Sequence, residues 1–403
     1  MASTFPAGIE DATPRFVEDL VIAMKEQRPG ARMMVLAPQV RGRIPAHRAH
    51  AAYEEVRFSY AWPPTTQRLT EQGILPALRA APWLVPLIPS LFIGMHVAAA
   101  RLIREWKPDV LHAHWFTPQG IVAARLSERT GVPLLLTTHA SDVSIWATVP
   151  HLGPRLVRRW FPQARRITAV SHATLARARG FFAEPEWAEL EARISVAPMG
   201  VRLPPTTAPR HSVSSERGAS EVVLFLGRFA EKKGIPVLID ACARLARPTL
   251  RLVLAGDGPA RATIERAVRE SGIADQVHFP GFVSGEAKDA LLAEAAVLVV
   301  PSIVTPGGDA EGLPVSLMEG LAAGVPVVAT DATNAGELIA DGVSGRIVPS
   351  QDPAALAAAI AQALDARPAD RDAMSRAGRQ CVERLAWPQV AHRYWKEIDA
   401  CTS

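Results

Sequence analysis

The stretch "AVLVVPSIVTPGGDAEGLPVSLMEGLAAGVPVVAT", residues 296–330, reads as a strand, a loop, a helix and a second strand. The runs at 296–302 and 326–331 are continuously apolar, which is typical of parallel strands buried on both faces. Between them, Pro314 is suited to begin a helix, because its missing N–H has no partner in a first helical turn. The stretch therefore predicts a β-α-β unit.

The same alternation of apolar runs and helical patterns extends along the whole chain. It predicts an α/β fold of two Rossmann-like domains that face each other across a cleft. In such sheets ligands bind beyond the carboxyl ends of the strands. The predicted strands are 33–38, 109–114, 133–139, 166–171, 194–198, 222–227, 250–256, 277–281, 296–302, 326–331 and 345–349.

A segment rich in Pro, Ser and Thr, residues 203–220, separates the two halves and is predicted to be a linker. The predicted domains are residues 1–202 and residues 221–385, and a C-terminal helix is predicted over 386–403.

The composition limits which partners and which cell compartment are expected for the protein. The 403 residues carry a net charge of +4, too small to indicate nucleic acid as a partner but compatible with phosphate-bearing ligands. Cys242, Cys381 and Cys401 show neither metal-ligand spacing nor a disulfide pattern, and no apolar leader follows Met1. We therefore expect a cytoplasmic protein.

One apolar segment, residues 83–100, has no formal charge and approaches membrane length. Pro86 and Pro89 argue against a transmembrane helix, because proline breaks helices in their interior. Two interpretations stay open. The segment is either a buried loop and helix, or a surface that contacts the inner face of a membrane.

Cations and glycines follow the first two strands of the second half. Arg228 and Lys233 in "FLGRFAEKKG" are suited to neutralise a diphosphate, and the alternative is a solvated charge run. Gly256 and Gly258 in "AGDGP" allow close approach of the backbone to a ligand.

Two carboxylates, Glu311 and Glu319, stand eight residues apart. Eight helical residues rise about 12 Å, too far for the two side chains to share a proton or flank one bond. They indicate hydrogen-bond acceptors for hydroxyls on different sugars, and the alternative is two solvated charges.

These segments together resemble a known family. "GRFAEKKG", "LAGDGP", "HFPGFV" and "EGLPVSLMEGLAAGVPVVAT" are similar, in order and interval, to the C-terminal domain of retaining GT-B glycosyltransferases of family 4. The family's E-x7-E motif is matched by Glu311 and Glu319. In the first half, "KPDVLHAHW", "TTHASD", "ITAVSHAT" and "VAPMGV" resemble family segments, so the resemblance covers nearly the whole chain.

The resemblance implies a nucleotide-sugar donor held mainly by the second domain, residues 221–385, with residues 1–202 on the acceptor side. The helix over 386–403 resembles the family helix that crosses back to the first domain. Arg228 and Lys233 would bind the diphosphate, Glu319 the ribose hydroxyls and Glu311 the donor sugar. His139 would face that sugar from the first domain. The catalytic set is thus Arg228, Lys233, Glu311 and His139, and the other donor-binding residues are Gly227, Gly256, Gly258, Gly312, Leu313, Pro314 and Glu319. The expected acceptor-side residues are Gly8, His114, Trp115 and Asp142.

The implied reaction is transfer of a hexose with retention of anomeric configuration. The leaving phosphate would help to deprotonate the acceptor, so no protein nucleophile is needed, and no metal or cofactor is expected. His112 and His114 could form a metal pair, but no third ligand is evident in the sequence. The implied partners are the nucleotide-sugar and a glycan or lipid-linked acceptor in cell-surface polysaccharide or glycolipid synthesis.

The chain departs from the family pattern in two places that concern the site. No apolar strand precedes residue 8, so the first N-terminal strand is expected to be missing, with a natural start upstream of Met1 as one explanation. The segment "TNAGELI", residues 333–339, replaces the commoner Gly-x-Pro-Glu and is expected to alter donor preference.

Two other functions stay open at this point. One is a glycosyltransferase-like protein that binds a nucleotide or a partner without turnover, and the other is a GT-B sugar-nucleotide epimerase. Nucleotide release that requires an acceptor indicates transfer, whereas isomerised donor without an acceptor indicates epimerisation. A dehydrogenase is excluded, because no strand is followed by a complete dinucleotide fingerprint.

Overall fold

The computed structural model describes residues 1–8, 13–41, 44–70, 73–74, 77–78, 81–139, 142–204 and 221–403. The chain divides into two compact units. Unit 1 comprises Met1–Gly200 and Trp387–Ser403, and unit 2 comprises Val201–Ala386. Most of the predicted linker, residues 205–220, lies outside the described residues.

The described part of unit 1 contains seven strands in two sheets. The first sheet has the order β1-β3-β2, in which β3 is parallel to β1 and antiparallel to β2. The second sheet, β4-β5-β6-β7, is parallel throughout. The strands are β1 Met34–Pro38, β2 His47–Ala49, β3 Glu54–Phe58, β4 Leu111–His114, β5 Leu134–Thr138, β6 Arg166–Ala169 and β7 Ile194–Val196.

Helices of unit 1 cover these strands through apolar faces. The core joins the strands to helix residues such as Leu91, Met95, Val122 and Leu126. The helices are α1 Phe16–Gln27, α2 Leu87–Trp106, α3 Ile121–Thr130, α4 Leu152–Trp160, α5 His172–Arg179, α6 Glu184–Glu191 and the C-terminal α13 Trp387–Thr402.

The first two residues lie between the two sheets of unit 1. The α-amino group of Met1 donates to His112 O at 2.7 Å, and His114 N–H donates to Met1 O at 3.0 Å. On the other side, Ala2 N–H donates to Leu36 O at 3.1 Å. The described residues before β1 contain no strand, yet Met1 and Ala2 hydrogen-bond to both neighbouring strands, where a first strand would stand.

β2 and β3 were not predicted, because their sequences "HRA" and "EEVRF" are polar. β2 is largely exposed, whereas β3 buries two paired charges, Glu55 and Arg57. Glu55 is 1% exposed and binds Arg57, Arg48 and His50, the last two at 2.6 and 2.9 Å. Burial of charged groups is tolerated when they are paired and hydrogen-bonded in this way.

The apolar segment 83–100 forms the start of α2. Pro86 precedes the helix and Pro89 lies in its first turn, where a missing N–H costs nothing. By length and composition alone α2 could cross a membrane, with a mean hydropathy of 1.3 over 18 residues. One face packs in the core, whereas Ile93 and Val97 on the other face are 63% and 61% exposed. The segment is therefore only partly buried.

Unit 2 is built on one parallel sheet with the strand order β10-β9-β8-β11-β12-β13. In chain order this is the 3-2-1-4-5-6 arrangement of the Rossmann fold, with its switch point between β8 and β11. The strands are β8 Glu221–Leu226, β9 Leu250–Ala255, β10 Val277–Gly281, β11 Val297–Val300, β12 Val327–Thr330 and β13 Arg346–Val348.

The helices of unit 2 bury apolar faces against this sheet. Strand residues such as Leu224, Leu252 and Val299 are at most 1% exposed, as expected for strands covered on both sides. The helices are α7 Ile235–Leu245, α8 Arg261–Glu270, α9 Gly285–Glu294, α10 Val315–Ala322, α11 Pro353–Asp365 and α12 Pro368–Glu383. All eleven predicted strands are present, and Pro314 caps α10 one residue before the helix begins.

Candidate active site

Three glycines pack the strand ends of unit 2 tightly. Gly227 follows β8, and Gly256 and Gly258 follow β9, with φ of +151°, +148° and +157°. A Cβ on Gly256 would lie 1.9 Å from Gly227 O, and one on Gly258 would lie 2.4 Å from Phe229 O. The positive φ of all three positions favours glycine, and the contacts at Gly256 and Gly258 show that the backbone beside the switch point is closely packed.

Three cations follow β8 at this edge of the sheet. Arg228 comes directly after Gly227, and Lys232 and Lys233 lie on a 3-10 turn, Glu231–Lys233. The backbone of this turn is fixed to the strand end of β11, because Ile303 N–H donates to Lys232 O at 2.8 Å. The turn thus reaches the switch point between β8 and β11.

Glu311 lies among these cations. Its Oε1 is 3.3 Å from Lys233 Nζ and 3.8 Å from Lys232 Nζ. Burial acts to raise the pKa of Glu311, but the two lysines outweigh it and hold that pKa below its ordinary value. Glu311 is therefore an ionised carboxylate, and the structure brings three of the four predicted catalytic residues into one cluster.

The segment between Glu311 and α10 is held by a side chain from the next loop. Asn334 Nδ2 donates to Glu311 O at 3.1 Å and to Gly312 O at 2.6 Å. Leu313 and Pro314 follow, and Pro314 precedes the first turn of α10. The departure "TNAGELI" thus supplies a residue that fixes the predicted donor-sugar loop.

Glu319 lies on α10, with its side chain 22% exposed. It forms a salt bridge with Lys288 of α9. This pair carried no signal in the sequence, because Lys288 is 31 residues away from Glu319 and lies on another helix. The carboxylate that was predicted to bind the ribose hydroxyls is therefore paired with the ammonium group of Lys288.

In unit 1, two of the other predicted residues, His114 and Trp115, lie against the imidazole of His139. His139 follows β5, and its Nε2 is 3.2 Å from Nδ1 of His114 at the end of β4. The Trp115 ring centroid lies 4.8 Å from that of His139. Burial lowers the pKa of His139 to about 3, so this side chain is neutral at ordinary pH.

The remaining predicted residues of unit 1 differ in surroundings. Asp142 Oδ2 accepts from Phe116 N–H at 2.7 Å, and burial raises the pKa of this carboxyl to about 7, against the effect of backbone N–H donors. Gly8 has no atom within 4 Å of where a Cβ would stand. His112 Nε2 bonds to Thr137 Oγ1 at 2.8 Å, and burial lowers the pKa of His112.

Sequence reasoning missed Lys232, Asp309 and Lys288. The doubled lysine of "EKKG" carried a signal for the first, whereas the other two depend on contacts between distant segments. Within the described ranges, no group of three or more His, Cys, Asp or Glu side chains is placed to hold a metal ion.

Sequence profiles of two families match consecutive parts of the chain. Residues 14–203 match Glycosyltransferase Family 4, and residues 209–381 match Glycosyl transferases group 1.

Curated relatives are glycosyltransferases. The putative colanic acid biosynthesis glycosyltransferase WcaL of Salmonella typhimurium is 32% identical over 65% of this chain, and the chain spans 63% of the relative's length. The GDP-mannose-dependent alpha-(1-6)-phosphatidylinositol monomannoside mannosyltransferase of Mycolicibacterium smegmatis is 30% identical over 74% of this chain and 79% of its own length.

Solved structures share the fold. A sucrose-phosphate synthase from Thermosynechococcus elongatus superposes with a TM-score of 0.73 at 22% identity, over 94% of this chain and 91% of the other. A UDP-forming alpha,alpha-trehalose-phosphate synthase from Burkholderia xenovorans reaches 0.74 at 14% identity, over 98% of each chain. The resemblance in the motifs is thus confirmed: the chain belongs to the group 1, family 4 glycosyltransferases and has their GT-B type of fold, with two Rossmann-like domains.

Proposed function

We propose that this protein is a retaining, metal-independent glycosyltransferase that moves a hexose from a nucleotide-sugar to a glycan or lipid-linked acceptor. The observation that carries the proposal is the cluster of Arg228, Lys232, Lys233 and Glu311 at the switch point of unit 2. Cations at that edge, beside glycines that admit a ligand, suit a diphosphate better than any other common group.

In this proposal the donor lies along the strand ends of unit 2. Arg228 and Lys233 bind the diphosphate, and Glu311 with the backbone of Gly312–Pro314 binds the donor sugar. Glu319 accepts hydrogen bonds from the ribose hydroxyls, which requires Lys288 to turn away or to bind the nucleotide itself.

The chemistry follows from these charges. Cleavage of the sugar–phosphate bond adds one negative charge to the departing diphosphate, which fixed cations stabilise in the transition state. Glu311 is ionised but paired with lysines, so its role is to bind sugar hydroxyls rather than to attack. His139 binds substrate as a neutral hydrogen-bonding group, since its pKa lies at about 3.

The acceptor is proposed to be a cell-surface glycan precursor or a lipid carrying one. Relatives named for colanic acid, amylovoran and phosphatidylinositol mannoside synthesis support this class. On α2, Ile93 and Val97 are exposed one turn apart, and Arg101 follows one turn later. An apolar stripe ending in a cation suits contact with an anionic membrane surface, at the cytoplasmic side where nucleotide-sugars are made.

The test is donor turnover by the purified chain. UDP-, GDP- and ADP-sugars are supplied with membrane lipid extract as the acceptor, and free nucleoside diphosphate is measured with and without EDTA. We expect one donor class to be consumed, without loss in EDTA, and NMR of the product to show the donor's anomeric configuration.

Two variants serve as the test and the control in this experiment. Glu319→Ala should weaken donor binding, whereas Glu265→Ala, which removes a surface carboxylate on α8, should not. Isomerised donor without an acceptor would instead establish an epimerase. Nucleotide binding with no turnover of any donor would contradict the proposed reaction.

A further inference from the structure

The loop between β11 and α10 carries a second carboxylate, Asp309, beside the predicted diphosphate site. Its Oδ1 is 3.2 Å from Lys232 Nζ, and the two side chains are 15% and 24% exposed. The backbone of Asp309 is fixed by Thr305, whose N–H donates to Asp309 O and whose Oγ1 accepts from Asp309 N–H, both at 3.0 Å. The carboxylate is therefore held in place rather than solvated.

Lys232 connects this loop to Glu311. Its ammonium group reaches Asp309, Ala310 O at 3.5 Å and Glu311 Oε1 at 3.8 Å, while its carbonyl oxygen accepts from Ile303 N–H. One lysine thus contacts the start of the loop through its backbone and the end through its side chain. Asp309 therefore acts on Glu311 through Lys232, beside the direct contact of Lys233 with the same carboxylate at 3.3 Å.

The cluster also sets the charge that a diphosphate meets. Arg228, Lys232 and Lys233 carry three positive charges, and Asp309 and Glu311 neutralise two of them. Although burial acts to lower the pKa of Lys232, Glu311 and Asp309 raise it above its ordinary value, so Lys232 remains charged. Burial lowers the pKa of Arg228, and the charge of Asp309 acts against that shift.

We propose that Asp309 is a positioning residue that binds Lys232, orients Glu311 toward the donor sugar and moderates the attraction of the cations for the nucleoside diphosphate. The inference rests on the proposed function and adds a role for a residue two positions before the E-x7-E motif. Asp309 thereby favours turnover over tight retention of the product.

This role predicts opposite changes in binding and turnover. In Asp309→Asn the site gains a positive charge, so the nucleoside diphosphate should bind about 2- to 5-fold more tightly, with a steeper dependence on salt. Turnover should fall about 10-fold, because Glu311 loses its fixed orientation and product leaves more slowly. A merely structural loss would weaken both quantities together.

Lys232→Met supplies the converse variant. It removes a cation from the site and leaves the charge of Asp309 in place, so nucleoside diphosphate affinity should fall about 10-fold. In the double variant Lys232→Met/Asp309→Asn the affinity should equal that of the wild type, because paired charges are not additive, whereas additive effects would leave it about 2- to 5-fold weaker. Asp309→Glu should restore most of the turnover.

The experiment measures UDP and GDP affinity by calorimetry and donor turnover for the full chain and each variant. Asp240→Asn, which removes an exposed carboxylate paired with Arg244, is the matched control and should change neither quantity. Parallel loss of affinity and turnover in Asp309→Asn, no change in either, or additive effects in the double variant would overturn the inference. Wild-type protein that binds neither nucleotide would instead overturn the proposed function.

Discussion

Gly256→Ala tests whether the strand ends of unit 2 have the close packing on which the site depends. The added Cβ would lie 1.9 Å from Gly227 O and 3.2 Å from Phe229 Cε1. Real Cβ atoms essentially never approach within 3.0 Å, so one strand end must move by about 1 Å. That movement weakens two hydrogen bonds at the strand ends, from Gly227 N–H to Ala255 O at 3.0 Å and from Gly256 N–H to Gly281 O at 2.8 Å.

The magnitude follows from these contacts. A side chain at positive φ costs about 1–3 kcal/mol, and each weakened ladder bond adds about 1 kcal/mol. The free energy of unfolding of unit 2 should therefore fall by about 3–5 kcal/mol. Nucleotide affinity should fall at least about 10-fold, since Arg228 follows the displaced Gly227.

The matched control is Gly272→Ala. Gly272 also has a positive φ, +76°, but a Cβ there would meet no atom within 4 Å. This variant should lose only about 1 kcal/mol, from backbone strain alone, and should bind nucleotide as the wild type does.

The assay combines urea unfolding with nucleotide titration. All nine tryptophans lie in unit 1, so their emission follows unit 1, whereas circular dichroism follows both units. Gly256→Ala should shift the dichroism transition more than the emission transition. Equal unfolding free energies for the two variants, with unchanged nucleotide affinity in Gly256→Ala, would refute the packing argument.

Three further predictions concern Glu319, His139 and the exposed face of α2. Glu319→Ala should raise the nucleotide Kd at least about 10-fold in calorimetry. His139 is neutral in the folded protein, with its pKa at about 3, below its ordinary value, so the stability that depends on this neutrality is lost as pH falls below 6.5. Between pH 6.5 and 5, the free energy of unfolding in urea should therefore fall by about 2 kcal/mol less in His139→Asn than in the wild type. Ile93→Asp/Val97→Asp should reduce sedimentation with anionic vesicles, whereas Val343→Asp, equally exposed on unit 2, should not.

The sequence predicted the strands well where apolar residues are buried on both faces of the strand. Several strands, such as β11 and β12 of unit 2, were predicted from continuous apolar runs. β2 and β3 gave no such signal, because β2 is largely exposed and β3 buries Glu55 and Arg57 as an ion pair that looks exposed in the sequence. Charge pairing inside a fold cannot be predicted from periodicity.

The residues of the candidate site also differ in whether the sequence could predict them. Arg228, Lys233 and Glu311 could be proposed because each follows a recognisable strand or begins a recognisable motif. The partners Asp309 and Lys288 could not, because their roles depend on which loop or helix lies beside which cation. Family resemblance supplied the motif positions, and only the structure supplied the counter-ions.

The central claim is that unit 2 holds the donor's diphosphate through Arg228 and Lys233. Calorimetry of UDP and GDP with the wild type and Arg228→Ala/Lys233→Ala tests it most directly. Arg244→Ala/Arg251→Ala, which removes two exposed cations from unit 2, is the charge-matched control. The account predicts that one nucleotide binds the wild type and the control alike, and binds the site variant about 100-fold more weakly. Equal affinity in both double variants, or no binding to the wild type, would contradict it.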